Sequence, residues 1–152
     1  MIRSQKRITL CGALIVLNIA FIWVNSLLPR EVSAAFSGLV GQVMDWLFPS
    51  QGTMAEGEGN GILRKIAHFT EFCTLGALLS WMAGMLRQEK RKRSVVPVLA
   101  GVAVACVDET IQCFVPGRGP GVLDVLIDTA GVILGVMLIW LIAAKKYAKR
   151  RN

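Results

Sequence analysis

The chain has 152 residues, of which 54% are hydrophobic and 18% are charged, and its formal net charge at pH 7 is +7. This length fits one small domain, and the apolar content excludes an ordinary soluble one. A basic protein could bind nucleic acid or anionic lipid through a charged patch. Here the basic residues are spread over separate short clusters between apolar segments, so both alternatives are weak and no nucleic-acid partner is expected.

Four apolar segments of about 20 residues are each long enough to cross the hydrocarbon core of a bilayer. We predict transmembrane helices at residues 8–28, 62–86, 95–115 and 123–144. The segments are too long and too closely spaced for a soluble helical bundle. The predicted fold is therefore all-α, a polytopic membrane protein in which residues 1–152 form a single transmembrane domain with the lipid bilayer as its first partner.

The basic clusters predict the orientation of these helices. They lie at residues 3–7, 87–93 and 145–151, which are the N-terminus, the second connection and the C-terminus. Basic residues concentrate on the cytoplasmic side of membrane proteins, so we expect a multi-pass protein of the cell membrane with both termini cytoplasmic. A cleaved signal peptide at the first segment is a weak alternative, because the apolar stretch exceeds the usual length of about 7–15 residues.

The long connection between the first two segments contains a candidate surface helix. Apolar residues recur at helical spacing from residue 33 to 48, and Pro49 follows. This pattern is typical of a short amphipathic helix in the outer membrane interface. An ordinary loop helix packed on the bundle is the alternative.

The four cysteines do not have the spacing of a disulfide framework or a zinc site. Cys11, Cys73, Cys106 and Cys113 all lie in apolar segments without paired spacing. They are interpreted as small apolar side chains and support neither a disulfide framework nor a zinc site.

Ionisable and polar residues gather near the predicted outer ends of three segments. At 1.5 Å per residue, His68, Glu109 and Asp128 lie about 8–9 Å from those ends. A charged residue at a helix centre costs about 2.5–3.5 kcal/mol on insertion scales, so residues kept there usually face the bundle interior and serve a function. We expect one pocket that opens outward, formed by Lys65, His68, Glu71, Asp108, Glu109, Gln112, Arg118, Asp124 and Asp128.

The residue types suggest two groups of roles. The candidate catalytic residues are His68, Glu71, Asp108 and Glu109. His68 titrates near neutral pH and suits general acid or base chemistry, and the acids could orient it or bind a divalent cation. The candidate substrate-binding residues are Lys65, Gln112, Arg118, Asp124 and Asp128, among which Lys65 and Arg118 suit phosphate or carboxylate.

Structural explanations exist for each group. Asp124 could cap the fourth helix, Lys65 and Arg64 could extend to lipid head groups, and Arg118 could be a solvated turn residue. The remaining residues could form a network that only ties the helices together.

The helix faces and the charge balance give two further expectations. Small residues at Gly101, Ala105, Gly131 and Gly135 are expected to bring the third and fourth helices close together. The acids outnumber the bases, and neighbouring like charges raise carboxylate pKa values. We expect a proton shared between His68 and Asp108 or Glu109, with a bound cation as the second choice.

Two blocks of the sequence resemble the VanZ-like membrane proteins. The first is RKIAHFTEF at residues 64–72, followed by Leu75 and Gly76. The second is DETIQCFVPGR at residues 108–118, followed by Asp124, Asp128 and Gly131. The pair Asn25-Ser26 is similar to the start of a serine-bearing segment in that family. The chain departs from the family pattern at Phe72, where Tyr is common, and at Asp128, where Asn is common.

The resemblance implies a role in the cell envelope linked to resistance to teicoplanin, a lipoglycopeptide antibiotic. It does not imply a reaction, so two hypotheses stand. One is an enzyme acting at the extracytoplasmic face on a lipid-linked wall precursor or another amphiphile. The other is a non-enzymatic module that recognises a lipid head group, the antibiotic or a partner protein. A transporter is a weaker third hypothesis, because the polar residues stop in the outer half.

Overall fold

The computed structural model describes residues 2–29, 32, 42, 46, 58–86, 92–116, 118 and 121–149. These residues form four long helices and no strand: α1 (Ile2–Leu27), α2 (Glu58–Met85), α3 (Lys92–Gln112) and α4 (Val122–Lys149). The prediction of an all-α fold is confirmed. Each helix satisfies its backbone hydrogen bonds within its own segment, which is what a bilayer requires of a spanning element.

Three of the helices are long and apolar enough to cross a membrane: Gln5–Leu27, Ser94–Gln112 and Val122–Lys145. α2 is not among them, and its first third carries Arg64, Lys65, His68 and Glu71. A fourth span therefore stays a prediction. The interfacial helix predicted at residues 33–48 lies outside the described residues apart from Gln42 and Trp46, which have helical backbone.

The helices run in alternating directions. The Cys11 thiol donates to the Leu78 carbonyl oxygen at 3.7 Å, whereas Asn25, at the other end of α1, donates to Glu71 near the start of α2. α1 and α2 are therefore antiparallel. Glu109, near the end of α3, accepts from the amide of Gly121, directly before α4. The end of α1, the start of α2, the end of α3 and the start of α4 thus meet at one end of the bundle.

A small apolar core lies beneath this end. It consists of Ile22, Phe72, Leu75, Ala105, Val132 and Val136. Many other large apolar side chains point outward, for example Leu10, Leu99 and Trp140. Such outward apolar faces suit contact with acyl chains, while the inside of the bundle is closed by tight helix packing.

The closest packing is between α2 and α4, which run parallel. A methyl group added at Gly131 would lie 2.5 Å from the Phe69 carbonyl oxygen. One added at Gly135 would collide with the carbonyl oxygen of Cys73, one turn further along α2. Gly76 of α2 meets the backbone of Val132 in the same way. We call Gly76, Gly131 and Gly135 the glycine seam.

The glycine seam shows that one prediction about helix packing was wrong. Gly131 and Gly135 were predicted to bring the third and fourth helices together, but they pack against α2. Gly101 does face α4, where a methyl group would lie 2.6 Å from the Val132 side chain. The sequence could not assign the partner helix, because a small-residue stripe predicts close approach without saying which neighbour approaches.

Gly135→Ala should destabilise the bundle, because the new methyl group meets backbone that cannot rotate away. Overpacking of this kind costs about 1–3 kcal/mol, so the thermal transition in detergent, followed by circular dichroism, should fall. Gly12→Ala is the matched control, since its nearest neighbour, the terminal methyl group of Met82, would be 3.5 Å away. Equal transitions for the two variants would contradict the glycine seam.

Candidate functional site

The centre of the polar end is His68, which lies between two aspartates. Its Nδ1 atom is 3.8 Å from Oδ2 of Asp108 and 4.0 Å from Oδ1 of Asp128. The three residues come from α2, α3 and α4, and their candidate ligand atoms all lie within 4.8 Å of one another. Both distances exceed those of an ordinary hydrogen bond, about 2.7–3.2 Å. The three groups therefore surround a common point rather than bond directly to each other.

The two aspartates are buried and incompletely paired. The Asp108 side chain is 0% exposed and the Asp128 side chain 1%, against 14% for His68. Oδ1 of Asp108 and both carboxylate oxygens of Asp128 accept no hydrogen bond from any residue that the structure describes. A buried carboxylate without partners is costly, and a proton or a bound cation would remove this cost.

Gln112 connects this centre to α1. Its Nε2 atom donates to Oδ2 of Asp108 at 2.8 Å and lies 3.3 Å from the Ser26 hydroxyl, where it can donate a second bond. Both bonds are buried. Gln112, which was predicted to bind substrate, thus holds the Asp108 carboxylate in place through a hydrogen bond.

Glu109 and Asp124 lie where the chain passes from α3 into α4. One oxygen of Glu109 accepts from the Gly121 amide at 2.9 Å, and the Asp124 carboxylate lies close over Gly121. Glu109 is thereby directed to the α3–α4 connection. Glu109 was expected, as an alternative to Asp108, to lie beside His68 and share a proton with it, but Asp128 lies there instead. Asp124 also lies in the first turn of α4, where its negative charge interacts favourably with the helix dipole.

Glu71 lies to one side of this centre. Its Oε1 atom accepts from Asn25 at 2.8 Å, which joins α1 to α2. Its other oxygen has no hydrogen-bond partner among the described residues.

A narrow cleft leads to His68. The free space within it amounts to about 10 Å³, which is room for about one water molecule or a bare ion. The residues that line it are Arg64, Lys65, His68, Glu109, Gln112, Asp124, Ile127 and Asp128. Cationic side chains at the edge and carboxylates within make it suitable for an anionic group outside and a cation inside.

Arg118 is half-buried in the connection between α3 and α4. Burial, together with the nearby Arg64 charge, lowers the pKa of its guanidinium, while Asp108 and Glu109 act in the opposite direction. Its Nε and Nη1 atoms donate to none of the described residues. The solvated-turn alternative is therefore disfavoured, and two donors remain for another partner.

Three residues of this site were not among the predicted site residues: Asn25, Ser26 and Arg64. Asn25 and Ser26 were noted only for their family resemblance, and Arg64 only as a residue that could reach head groups. The available signal was a polar pair at the end of an otherwise apolar segment. Such a pair usually faces a neighbouring helix.

Apolar helices with an ionisable cluster enclosed at one end define a multi-pass membrane protein with an intramembrane polar site. The model of the VanZ/LLP1 family matches residues 10–143. The chain belongs to this family, which confirms the resemblance seen in its two sequence blocks. Neither a search of curated proteins nor a search of solved structures finds a match.

The bond between Asn25 and Glu71 can be tested by a double-mutant cycle. Asn25→Leu should destabilise the protein by about 1–3 kcal/mol, because it leaves a buried carboxylate oxygen unpaired. Adding Glu71→Leu should recover much of this loss, since removing both partners is far less costly. Unfolding in mixed micelles measures both effects, with Thr74→Val as the control on the outer face of α2. Additive losses in the double variant would contradict the bond.

Proposed function

We propose that the cluster around His68 is the active site of an enzyme that acts at the extracytoplasmic face on an anionic amphiphile. A lipid-linked wall precursor or a lipoglycopeptide such as teicoplanin is the substrate class that fits the family. The observation that carries the proposal is a histidine facing two buried, incompletely paired aspartates at the inner end of a cleft. An architectural network would be more stable with those carboxylates paired or replaced by amides.

The edge of the cleft supports an anionic substrate. Arg64 and Lys65 line it, and Arg118, beside the same acids, has two nitrogen atoms that donate to none of the described residues. Charge-assisted hydrogen bonds from such groups suit phosphate and carboxylate. The remaining, apolar part of an amphiphile would stay in the bilayer beside the helices.

The second candidate function is non-enzymatic binding at the same surface. The narrowness of the cleft favours it, since the free space fits no more than a small group beyond the cationic edge. In that case Arg64, Lys65 and Arg118 would carry recognition, and His68 with its aspartates would support them from below.

The distribution of charges supports an orientation that places this end of the bundle outside. Basic residues flank the opposite end of the bundle, including Lys6, Arg7, Lys92 and Lys145, as the positive-inside distribution requires. We propose four transmembrane helices, with α2 crossing the membrane alongside α4, and both termini in the cytoplasm.

Single-cysteine labelling tests this orientation. In a cysteine-free variant, native Cys113, restored alone at the end of α3, should react with an impermeant maleimide on intact cells. A cysteine placed at Leu86, the exposed residue after α2, should react only after permeabilisation. Because α2 starts beside the end of α1, protection at Leu86 also requires α2 to cross. Labelling of Leu86→Cys on intact cells would overturn the topology.

The proposed activity is tested in a teicoplanin-susceptible bacterial host with a titratable promoter. The parent chain should raise the inhibitory concentration, and His68→Gln and Asp128→Asn should abolish this effect at every expression level. An enzyme needs its reacting group, whereas a weakened binding module would be rescued by more copies. Thr70→Val is the control, because Thr70 is exposed and its hydroxyl bonds only within α2.

Immunoblots of the membrane fraction establish equal amounts of each variant. If His68→Gln protects like the parent at equal amounts, the enzymatic proposal fails. Protection that returns with higher expression of His68→Gln would favour the binding module.

A further inference from the structure

The arrangement of His68, Asp108 and Asp128 has the composition of a metal site. One imidazole nitrogen and two carboxylates approach one point from three helices, with Nδ1–oxygen separations of 3.8 and 4.0 Å. Ligands around a tetrahedral zinc ion at about 2.0–2.2 Å lie roughly 3.3 Å apart. Side-chain rotations that shorten both Nδ1–oxygen separations by less than about 1 Å would reach this spacing, and all three candidate ligand atoms already lie within 4.8 Å of one another.

We propose that these three residues bind one divalent transition-metal ion, with zinc as the first candidate. This inference deepens the proposed function, because it names what the same site holds.

The second observation is the state of the aspartates themselves. Asp128 is 1% exposed and directs Oδ1 toward His68, yet neither of its oxygens accepts a hydrogen bond within the described part of the chain. Asp108, 0% exposed, directs Oδ2 toward His68, where this oxygen accepts from Gln112, and its Oδ1 atom accepts no hydrogen bond from the described residues. Two carboxylates and one divalent ion sum to zero charge beside a neutral imidazole. A bound ion would therefore offset the cost of burying two carboxylates that hydrogen bonds satisfy only in part.

One proposed ligand is held by a hydrogen bond from a neighbouring side chain, as metal ligands usually are. Gln112 donates to Asp108 at 2.8 Å and contacts Ser26 behind it. Ligating carboxylates are commonly held in this way, and removing such a partner lowers metal affinity about 10- to 100-fold. On the other side, the cleft has space for about one water molecule. Three protein ligands with one accessible position are typical of catalytic rather than structural zinc.

The ligand types narrow the identity of the ion. An imidazole nitrogen favours zinc, manganese or iron over magnesium and calcium, which prefer oxygen ligands alone. The site contains no thiolate, which argues against soft ions such as copper(I). When bound, the ion would polarise a phosphoryl or carbonyl oxygen, or a water molecule, at its open position.

His68 is the only histidine in the chain, which allows a direct spectroscopic test. The full chain is purified in micelles without a polyhistidine tag and with the four native cysteines replaced, since thiols bind zinc. Histidine labelled with ¹⁵N then gives one imidazole signal pair. Titration with Zn²⁺ should shift the Nδ1 signal and saturate at one ion per chain by calorimetry, while Mg²⁺ at the same concentration should not.

Variants locate the site. His68→Gln and Asp128→Asn should lower Zn²⁺ affinity at least about 100-fold, and Gln112→Leu about 10- to 100-fold as an outer partner. Glu71→Gln and Asp124→Asn are the matched controls, because each removes a nearby carboxylate that the proposed site does not use. Their affinities should equal that of the parent.

Three results would overturn the inference: an unchanged ¹⁵N signal with Zn²⁺, a stoichiometry far from one, or equal binding by the parent and Asp128→Asn. If the ligand variants do not fold, the signal of the parent decides alone. Loss of protection in His68→Gln without Zn²⁺ binding by the parent would refute only the metal. Zn²⁺ binding by the parent, with full protection by His68→Gln, would refute only the proposed function.

Discussion

The close approach of α2 and α4 is the constraint on which the rest of the structure depends. Gly131 lies directly against the backbone of Phe69, the residue after His68, and it is three positions after Asp128 on α4. The same contact that excludes a methyl group therefore sets the distance between His68 and Asp128. A wider helix spacing would leave the two side chains on separate helices without a shared site.

The polar residues at this end divide into two kinds by their hydrogen bonds. Asn25 with Glu71, Gln112 with Ser26, and Glu109 with the Gly121 amide each join two parts of the chain. These bonds hold the ends of the helices together where apolar packing is thin. The carboxylate of Asp128, which is directed toward His68, does not serve this purpose, since none of the described residues donates to it. Buried carboxylates of this kind in a membrane protein are costly, and this cost supports the proposal that a ligand or a reaction uses them.

Much of the fold was accessible from the sequence, because run length and helical periodicity are local properties. The described helices overlap the predicted segments, although the third ends at Gln112 rather than at residue 115. The convergence of His68, Asp108 and Asp128 follows from their similar distance to the helix ends. The neighbours of each residue were not accessible. Glu109 and Asp128 lie on adjacent helices at similar depth, and only their rotation about the helix axis decides which one faces His68. That rotation is fixed by the glycine seam and by the α3–α4 connection, both of which are tertiary features.

The cluster lies near one end of the bundle. Its ionisable groups are costly to bury, but this position keeps them accessible from that end. His68 is 14% exposed, while the aspartates behind it are almost fully enclosed. An ion or a small polar group can therefore reach the imidazole from the aqueous side without crossing the apolar core. Enclosure strengthens the electrostatic interactions of the aspartates with whatever lies at that point, because little water screens them. Arg64 and Lys65 meet the solvent first, and they attract anions toward a site whose interior favours cations. This separation of charge along the cleft is the feature that supports the proposed ion-assisted reaction on an anionic head group, because cations at the edge suit the head group and carboxylates within suit the ion.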